Sequence, residues 1–202
     1  MGMENWKRTI ECGLVSEKYL NTTLTLNGWV ARRRDHGGLI FIDLRDRTGI
    51  TQIVFNPDFS KDAHTLAQTV RSEFVLAVAG MVVKRTPETV NEKMPTGAFE
   101  LHVTTLLILN TCKQLPFALE EGDKIDEDLR LRYRYLDLRR SEMQQRLALR
   151  SIVIFAMREF FIQRGFFEIE TPILTKNTPE GAREFLVPSR VSVGSLYARS
   201  EE

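Results

Sequence analysis

Two segments of the sequence combine residue types that could bind a ligand. The first is TPEGAR at Thr178–Arg183, where Glu180 and Arg183 carry opposite charges on either side of a glycine. A zwitterionic molecule such as an amino acid needs this pair, because a carboxylate binds its ammonium group and a guanidinium binds its carboxylate. The alternative is a surface loop in which Glu180 and Arg183 pair with each other.

The second segment places arginines near an aromatic residue. Arg32–Arg34 is a short cationic run, and Phe41 follows in an alternating stretch. The aliphatic residues flanking Phe41 are Ile40, Ile42 and Leu44, which should face the core. Phe41 is therefore predicted to be exposed, and an exposed ring near arginines can stack on an unpaired nucleobase.

Two polar residues on later strands could read the edge of such a base. Gln52 interrupts an aliphatic strand and can both donate and accept hydrogen bonds, and Glu100 can accept from a base amine. The alternative is that Phe41 belongs to the core, the arginines protect a sheet edge, and Gln52 and Glu100 are ordinary surface residues. The residues alone leave both interpretations open.

A third segment, Arg130–Arg140, holds five further arginines with Tyr133 and Tyr135 among them. It could contact a nucleic-acid backbone, in which case binding would depend on salt. It could equally be a solvated basic helix that packs its apolar residues between two domains.

The first half of the chain is rich in predicted strands. Alternation and turn residues predict three strands, a short helix capped by Ser60, and two more strands. This order is typical of the OB-fold, a five-stranded barrel that commonly binds single-stranded nucleic acid; a small barrel without a ligand is the alternative. The predicted strands are about 23–34, 39–44, 50–55, 74–84 and 99–109, with a turn at Asp35–Gly38 and a helical apolar face of Ala63, Leu66, Ala67 and Val70.

The second half is predicted to mix helices and strands. An acidic linker at about 115–128 leads into the basic segment, and a long helix follows over about 141–164 with Gly165 as its stop. The apolar positions recur at the spacing of a buried stripe, and a strand at Phe166–Glu170 ends before Pro172. The stripe consists of Leu149, Ile152, Val153, Ala156 and Phe160.

The composition limits which classes of function the chain can have. Net charge is +1 over 202 residues, so nucleic-acid binding would have to come from local patches. Cys12 and Cys112 are far apart, which makes a zinc site unlikely and indicates two reduced thiols. Since no apolar run approaches the length of a membrane span and the N-terminus has no signal core, we expect a cytoplasmic protein without membrane contact.

Taken together, these segments resemble the bacterial-type aspartyl-tRNA synthetases. The similarity runs in order through about residues 8–190, in GWVARRRD from Gly28, LIFIDLRDR from Leu39, YRYLDLRR from Tyr133 and TPEGAREFLVPSR from Thr178. The related lysyl and asparaginyl enzymes share the OB domain, but they do not typically carry TPEGAR.

The resemblance implies a fold and a domain order. Residues 1–112 would form an OB-fold anticodon-binding β-barrel, 113–140 a hinge, and 141–202 an α+β fragment that begins a class II catalytic domain. In the family, the first class II motif builds a homodimer interface, and here Pro172 would be its proline. Glu180 would contact aspartate.

The resemblance also assigns roles on the barrel. Phe41 would stack on a base, Arg34 and Gln52 would read the central uridine, and Glu100 would read the first anticodon base of tRNA(Asp). His36 matches enzymes that also accept tRNA(Asn), whereas enzymes restricted to tRNA(Asp) tend to have leucine there.

The family reaction uses ATP and Mg²⁺ to activate aspartate before transfer to tRNA. The later class II motifs, which hold ATP, do not occur in these 202 residues, so we expect no cofactor or metal in this chain and no aspartate-dependent ATP–pyrophosphate exchange by it alone. The apolar face of residues 149–174 would then be exposed and favour self-association. The alternatives are a non-catalytic tRNA-binding module and a general single-strand-binding OB protein.

Overall fold

The computed structural model describes residues 6–119, 124–175, 185–191 and 196–199. The chain divides into two units, Met1–Pro116 and Phe117–Glu202. The three-part division with a hinge at 113–140 stays a prediction. Along the described residues, no helix combines the length and the apolar character needed to cross a bilayer.

Five strands of the first unit close into a barrel, in the order β1-β2-β3-β5-β4. β3 and β5 pair in parallel, whereas the other described neighbours, including β4 with β1, are antiparallel. A helix, α1, lies between β3 and β4 in the chain, which confirms the OB-fold predicted from the element order. The elements are β1 (Thr23–His36), β2 (Leu39–Arg45), β3 (Ile50–Phe55), α1 (Lys61–Ala67), β4 (Val75–Lys84) and β5 (Phe99–Asn110).

The barrel interior follows the predicted alternation. On β2 every second residue is buried, and the residues between are partly exposed. Burying one aliphatic side chain of this size contributes about 1.5–3 kcal/mol, so the inward-facing set stabilises the barrel strongly. The buried set from β1, β2 and β5 includes Leu24, Leu26, Val30, Ile40, Ile42, Leu44, Leu101 and Val103.

The turn between β2 and β3 ties the N-terminal segment to the barrel. The Asp46 carboxylate accepts hydrogen bonds from the Thr48 backbone N (2.8 Å) and hydroxyl (2.7 Å), from Gly49 N (3.3 Å) and from Cys12 N (2.7 Å). Burial acts to raise the pKa of Asp46, but these hydrogen bonds outweigh burial and lower it. Gly13 belongs to the same contact, because a Cβ there would lie 2.3 Å from the Thr48 carbonyl oxygen.

Helix α1 begins at the predicted cap. The Ser60 hydroxyl accepts a hydrogen bond from Ala63 N at 3.3 Å. Ala63 and Ala67 are buried one helical turn apart, and Val70 is buried just after the helix ends. The prediction that Leu66 shares this buried face is wrong, since Leu66 is 37% exposed at the edge of the narrow stripe that the two alanines define.

The hairpin between β1 and β2 is tighter than predicted. β1 continues through Asp35 to His36, which pairs with Leu39, so the turn consists of Gly37 and Gly38 alone. Their φ values of 59° and 79° lie in the left-handed region. Two-residue hairpins need this backbone conformation, and glycine adopts it without a steric penalty.

The second unit contains three described helices and three short strands. They are α2 (Glu127–Arg132), α3 (Arg134–Asp137), α4 (Ser141–Ile162), β6 (Leu174–Thr175), β7 (Phe185–Pro188) and β8 (Leu196–Arg199). The strands form an antiparallel sheet in the order β6-β8-β7. Within the basic segment, Arg140 is buried and donates a hydrogen bond to buried Asp137 at 3.0 Å. At least this part of the segment therefore packs internally.

One prediction for the second unit is confirmed and one is wrong. The α4 stripe is exposed, as expected for the apolar face of residues 149–174: Leu149 is 63% exposed, Ile152 is 65% exposed, and α4 contains no buried residue. Phe166–Glu170 is not a strand, and the first short strand forms after Pro172 instead. Among the described residues no strand pairs with Phe166–Glu170, so this segment has no ladder of backbone hydrogen bonds to join.

The Asp46 turn generates a prediction about acid stability. The pKa of Asp46 is lowered in the folded state, so its contribution is fully present above the unfolded value of about 3.9 and is lost as pH falls through the folded value. We expect Asp46→Asn to reduce the free energy of unfolding at pH 7 by about 1–2 kcal/mol, because hydrogen bonds to the charged carboxylate are lost.

Urea unfolding of both proteins at a series of pH values from 7 to 3 checks this. The difference between them should begin to shrink below about pH 4, where the Asp46 carboxylate of the unfolded chain becomes protonated, and should vanish once the folded carboxylate is protonated as well. Asp58→Asn, which removes an exposed carboxylate in the same unit, is the matched control. A difference between wild type and Asp46→Asn that stays constant from pH 7 to 3 would contradict the assignment.

Candidate nucleic-acid interface

A bulge in β1 determines which arginines reach the outer face of the barrel. The β1–β2 register shifts between Val30 and Arg32. Val30 lies opposite Leu44, and both are buried, whereas Arg34 lies opposite Phe41 on the outer face. Directly opposed residues share a face of the sheet, so the shift brings Arg34 beside Phe41.

Arg33 points away from this face. Its Nη1 donates to the carbonyl oxygens of Gln68 (3.3 Å) and Val70 (3.2 Å) just beyond helix α1, and its Nη2 pairs with Asp35 at 2.8 Å. Arg33 therefore stabilises the end of α1. The cationic run seen in the sequence divides between the structural Arg33 and two exposed arginines on the outer face, Arg32 opposite Asp43 and Arg34 opposite Phe41.

Phe41 occupies the predicted side of β2. Its neighbours Ile40 and Ile42 are buried in the core, and Phe41 itself is partly exposed outside it. The alternative that Phe41 is a core residue is thus wrong. A ring in this position is supported by the sheet beneath it and still presents aromatic surface to solvent.

The polar residues predicted on three different strands form one hydrogen-bond network. Arg34 Nη2 donates to Asp43 Oδ1 at 2.8 Å and to Gln52 Oε1 at 3.2 Å. Gln52 Nε2 donates to Glu100 Oε2 at 2.9 Å. The register explains the assembly, because Gln52 on β3 lies opposite Asp43 on β2 and Glu100 on β5.

Gln52 is buried, so the alternative interpretation, in which it is an ordinary surface residue, is wrong. It is 4% exposed, and both ends of its amide are hydrogen-bonded, to Arg34 on one side and to Glu100 on the other. A buried amide needs such partners, since leaving one unpaired costs about 1–3 kcal/mol. The network therefore holds its side chains in place before any ligand arrives.

Three residues that were not predicted from the sequence extend this network. His102 Nε2 donates to Glu100 Oε1 at 2.9 Å, and the Phe59 ring stacks on His102 with centroids 5.0 Å apart. The Arg85 side chain is 10% exposed, and its Nε lies 3.7 Å from Glu100 Oε2. Arg85 Nε and Nη1 are buried and make no hydrogen bond within the described residues. Strand alternation from Glu100 would have placed His102 on the same face. Arg85 lies just after β4, and no local sequence pattern predicts its contact with Glu100.

The other predicted site residues have separate positions. His36 is exposed at the end of β1, on the same outer face as Arg34 because it lies two residues further along the strand. Pro172 is exposed in the second unit, outside any strand. Glu180 lies outside the described residues.

Two family models match the chain. One describes the OB-fold nucleic acid binding domain and matches residues 24–109. The other describes class II tRNA synthetases (D, K and N) and matches residues 126–201.

Curated relatives and solved structures agree with these models. The chain is 57% identical to the aspartate–tRNA ligase of Staphylococcus haemolyticus and 55% identical to that of Staphylococcus epidermidis, each over 95% of this chain and 33% of the relative. The chain thus spans about a third of the length of these relatives. The asparaginyl-tRNA synthetase from Pyrococcus horikoshii complexed with asparaginyl-adenylate superposes with a TM-score of 0.81 at 26% identity, over 96% of this chain and 42% of that one. Another crystal structure of that enzyme gives a TM-score of 0.77 at 25% identity, over 95% of this chain and 41% of that one.

The network predicts which substitutions on this face disturb the fold. Glu100→Ala should lower the free energy of unfolding by about 2–4 kcal/mol, because it leaves Arg85 without its counter-charge and Gln52 Nε2 without an acceptor. Phe41→Ala should cost less, since the ring lies outside the core. Chemical denaturation of both variants checks the order, and a Glu100→Ala variant as stable as wild type would show that the network contributes nothing to folding.

Proposed function

Because this chain belongs to the aspartate–tRNA ligase family of class II synthetases, we propose that its barrel binds the anticodon of tRNA(Asp). The observation that carries the proposal is the hydrogen-bonded row Arg34–Gln52–Glu100 beside the partly exposed Phe41. Single-stranded RNA is recognised by stacking on aromatic rings and by hydrogen bonds to base edges, and this face offers both.

The chemistry of the row fits the bases that an aspartate anticodon requires. Codons for aspartate demand guanosine at the first anticodon position and uridine at the centre. Glu100 suits guanine, since a carboxylate accepts from adjacent N–H groups and has lone pairs left after binding Gln52 and His102. Arg34 and Gln52 suit uracil, whose edge alternates acceptor and donor.

The network reduces what binding costs. Arg34, Gln52 and Glu100 are already oriented by one another, so binding need not order these side chains. Phe41 adds a stacking surface next to Arg34, worth about 1–3 kcal/mol per base. The Arg85 guanidinium, with its Nε 3.7 Å from Glu100 Oε2, holds the Glu100 carboxylate in the same position.

For the whole protein we propose ATP-dependent activation of aspartate and its transfer to tRNA(Asp), within a homodimer whose interface includes the segment around Pro172. Glu180 is proposed as the acid that contacts aspartate. Within the described part of the chain, no three His, Cys, Asp or Glu side chains come together as metal ligands, so we assign Mg²⁺ to no residue.

The anticodon proposal is tested by fluorescence anisotropy with an aspartate anticodon stem–loop. Phe41→Ala should weaken binding about ten- to a hundredfold, because one stacked base loses its platform. Phe41→Tyr should bind like wild type. Leu14→Ala, which truncates an exposed apolar residue of the N-terminal segment, is the control and should have no effect.

The same assay separates an anticodon reader from a general single-strand binder. Changing the central uridine of the stem–loop to cytidine should cost about tenfold or more if Arg34 and Gln52 read that edge, since a well-placed pair of hydrogen bonds discriminates by about 1–3 kcal/mol. Equal affinity for both RNAs would favour the general OB protein.

We further propose that His36 allows binding of tRNA(Asn), whose anticodon differs from that of tRNA(Asp) only at the third base. His36→Leu should weaken an asparagine stem–loop and leave the aspartate stem–loop unchanged. His36 is exposed in the hairpin, so the substitution should not disturb folding. Equal effects on both RNAs would argue against a role in selecting between them.

A further inference from the structure

The outer face does not end at Glu100. Beyond it, His102 stacks under Phe59, with an interplanar angle of 29°. Phe59 is 51% exposed, so its second face is open to solvent. A ring that is stacked on one face and open on the other can accept a second flat group on its open face.

The position of Phe59 is held by its backbone. Phe59 N and Ser60 N both donate to the Asn56 carbonyl oxygen at 3.1 Å, and the Asn56 side chain accepts from Asp58 N at 2.9 Å. Ser60 then caps α1. The ring is therefore presented from a tight turn joined to a helix, rather than from a loose loop.

His102 connects this ring to the polar row. Its Nε2 donates to Glu100 Oε1 while its ring face meets Phe59. The row thus runs from Phe41 through Arg34, Gln52 and Glu100 to the His102–Phe59 stack. Phe41 on β2 and His102 on β5 both lie opposite Val54 on β3, so aromatic rings flank β3 on both sides, next to the polar row.

We propose that the His102–Phe59 stack is a second base-stacking site, and that Phe59 supports the base whose edge Glu100 reads. This inference rests on the proposed function, which makes that base the first of the anticodon. A purine suits the site, because a large flat base can cover the open face of Phe59 while its edge reaches Glu100. Phe41, on the other side of β3, then serves a different base.

A thermodynamic cycle with abasic RNA tests the pairing of ring and base. The full chain is titrated with an aspartate stem–loop that is intact, abasic at the first anticodon position, or abasic at the central position. Phe59→Ala should weaken binding of the intact RNA about ten- to a hundredfold. With the first base removed the same substitution should change affinity by less than about twofold, and with the central base removed its full effect should return.

Each outcome has a distinct meaning. If wild type does not bind the intact stem–loop, the proposed function fails. If wild type binds and Phe41→Ala weakens binding but Phe59→Ala does not, only the second stacking site is rejected. If the Phe59→Ala effect disappears with the central base instead of the first, the assignment of the base is overturned.

Conservative variants distinguish aromatic stacking from a general hydrophobic contact and from structural support. Phe59→Tyr should keep affinity, while Phe59→Leu, which stays apolar but loses the aromatic face, should weaken binding nearly as much as alanine. His102→Gln keeps a donor for Glu100 but removes the ring beneath Phe59, so it should weaken binding of the intact RNA and lose its effect when the first base is absent. An equal loss for all three RNAs would mean that His102 only supports the fold.

Discussion

The bulge in β1 is the constraint on which the outer face depends. Side chains alternate strictly along a strand, so Arg34, four residues after the inward-facing Val30, would otherwise point into the barrel. The register shift reverses that alternation and places Arg34 opposite Phe41. Without it, a guanidinium would enter an aliphatic core, and the row of polar groups would lose the member that joins β1 to β3.

The same row serves both stability and recognition. Its central amide, Gln52, is buried and is tolerated only because Arg34 and Glu100 satisfy both of its ends. A fully satisfied network fixes its side chains in one arrangement, and that arrangement is what an RNA base would meet. Substituting a polar residue of this network therefore affects folding as well as base recognition. The aromatic rings beside the network can be substituted with less effect on folding.

Local periodicity accounts for what could be predicted. The position of Phe41 and the OB-fold order both follow from alternation within single segments. The bulge, the burial of Gln52 and the approach of Arg85 to Glu100 depend on register between distant strands, which no single segment encodes. Helical periodicity has a similar limit in α4. Its spacing predicts an apolar face, but it does not predict whether another element covers that face.

Charge on this face is largely matched within the protein itself. On this face Arg34 pairs with Asp43 and Arg85 faces Glu100, while Arg33, which points away from it, holds the end of α1. Salt dependence of RNA binding arises from cations that neutralise phosphates, each contributing a slope of about −0.7 for single strands. Arginines already engaged with carboxylates and carbonyls can contribute little to that term. The affinity of the proposed interface must therefore come mainly from stacking and base-edge hydrogen bonds, which are also the contacts that distinguish one anticodon from another.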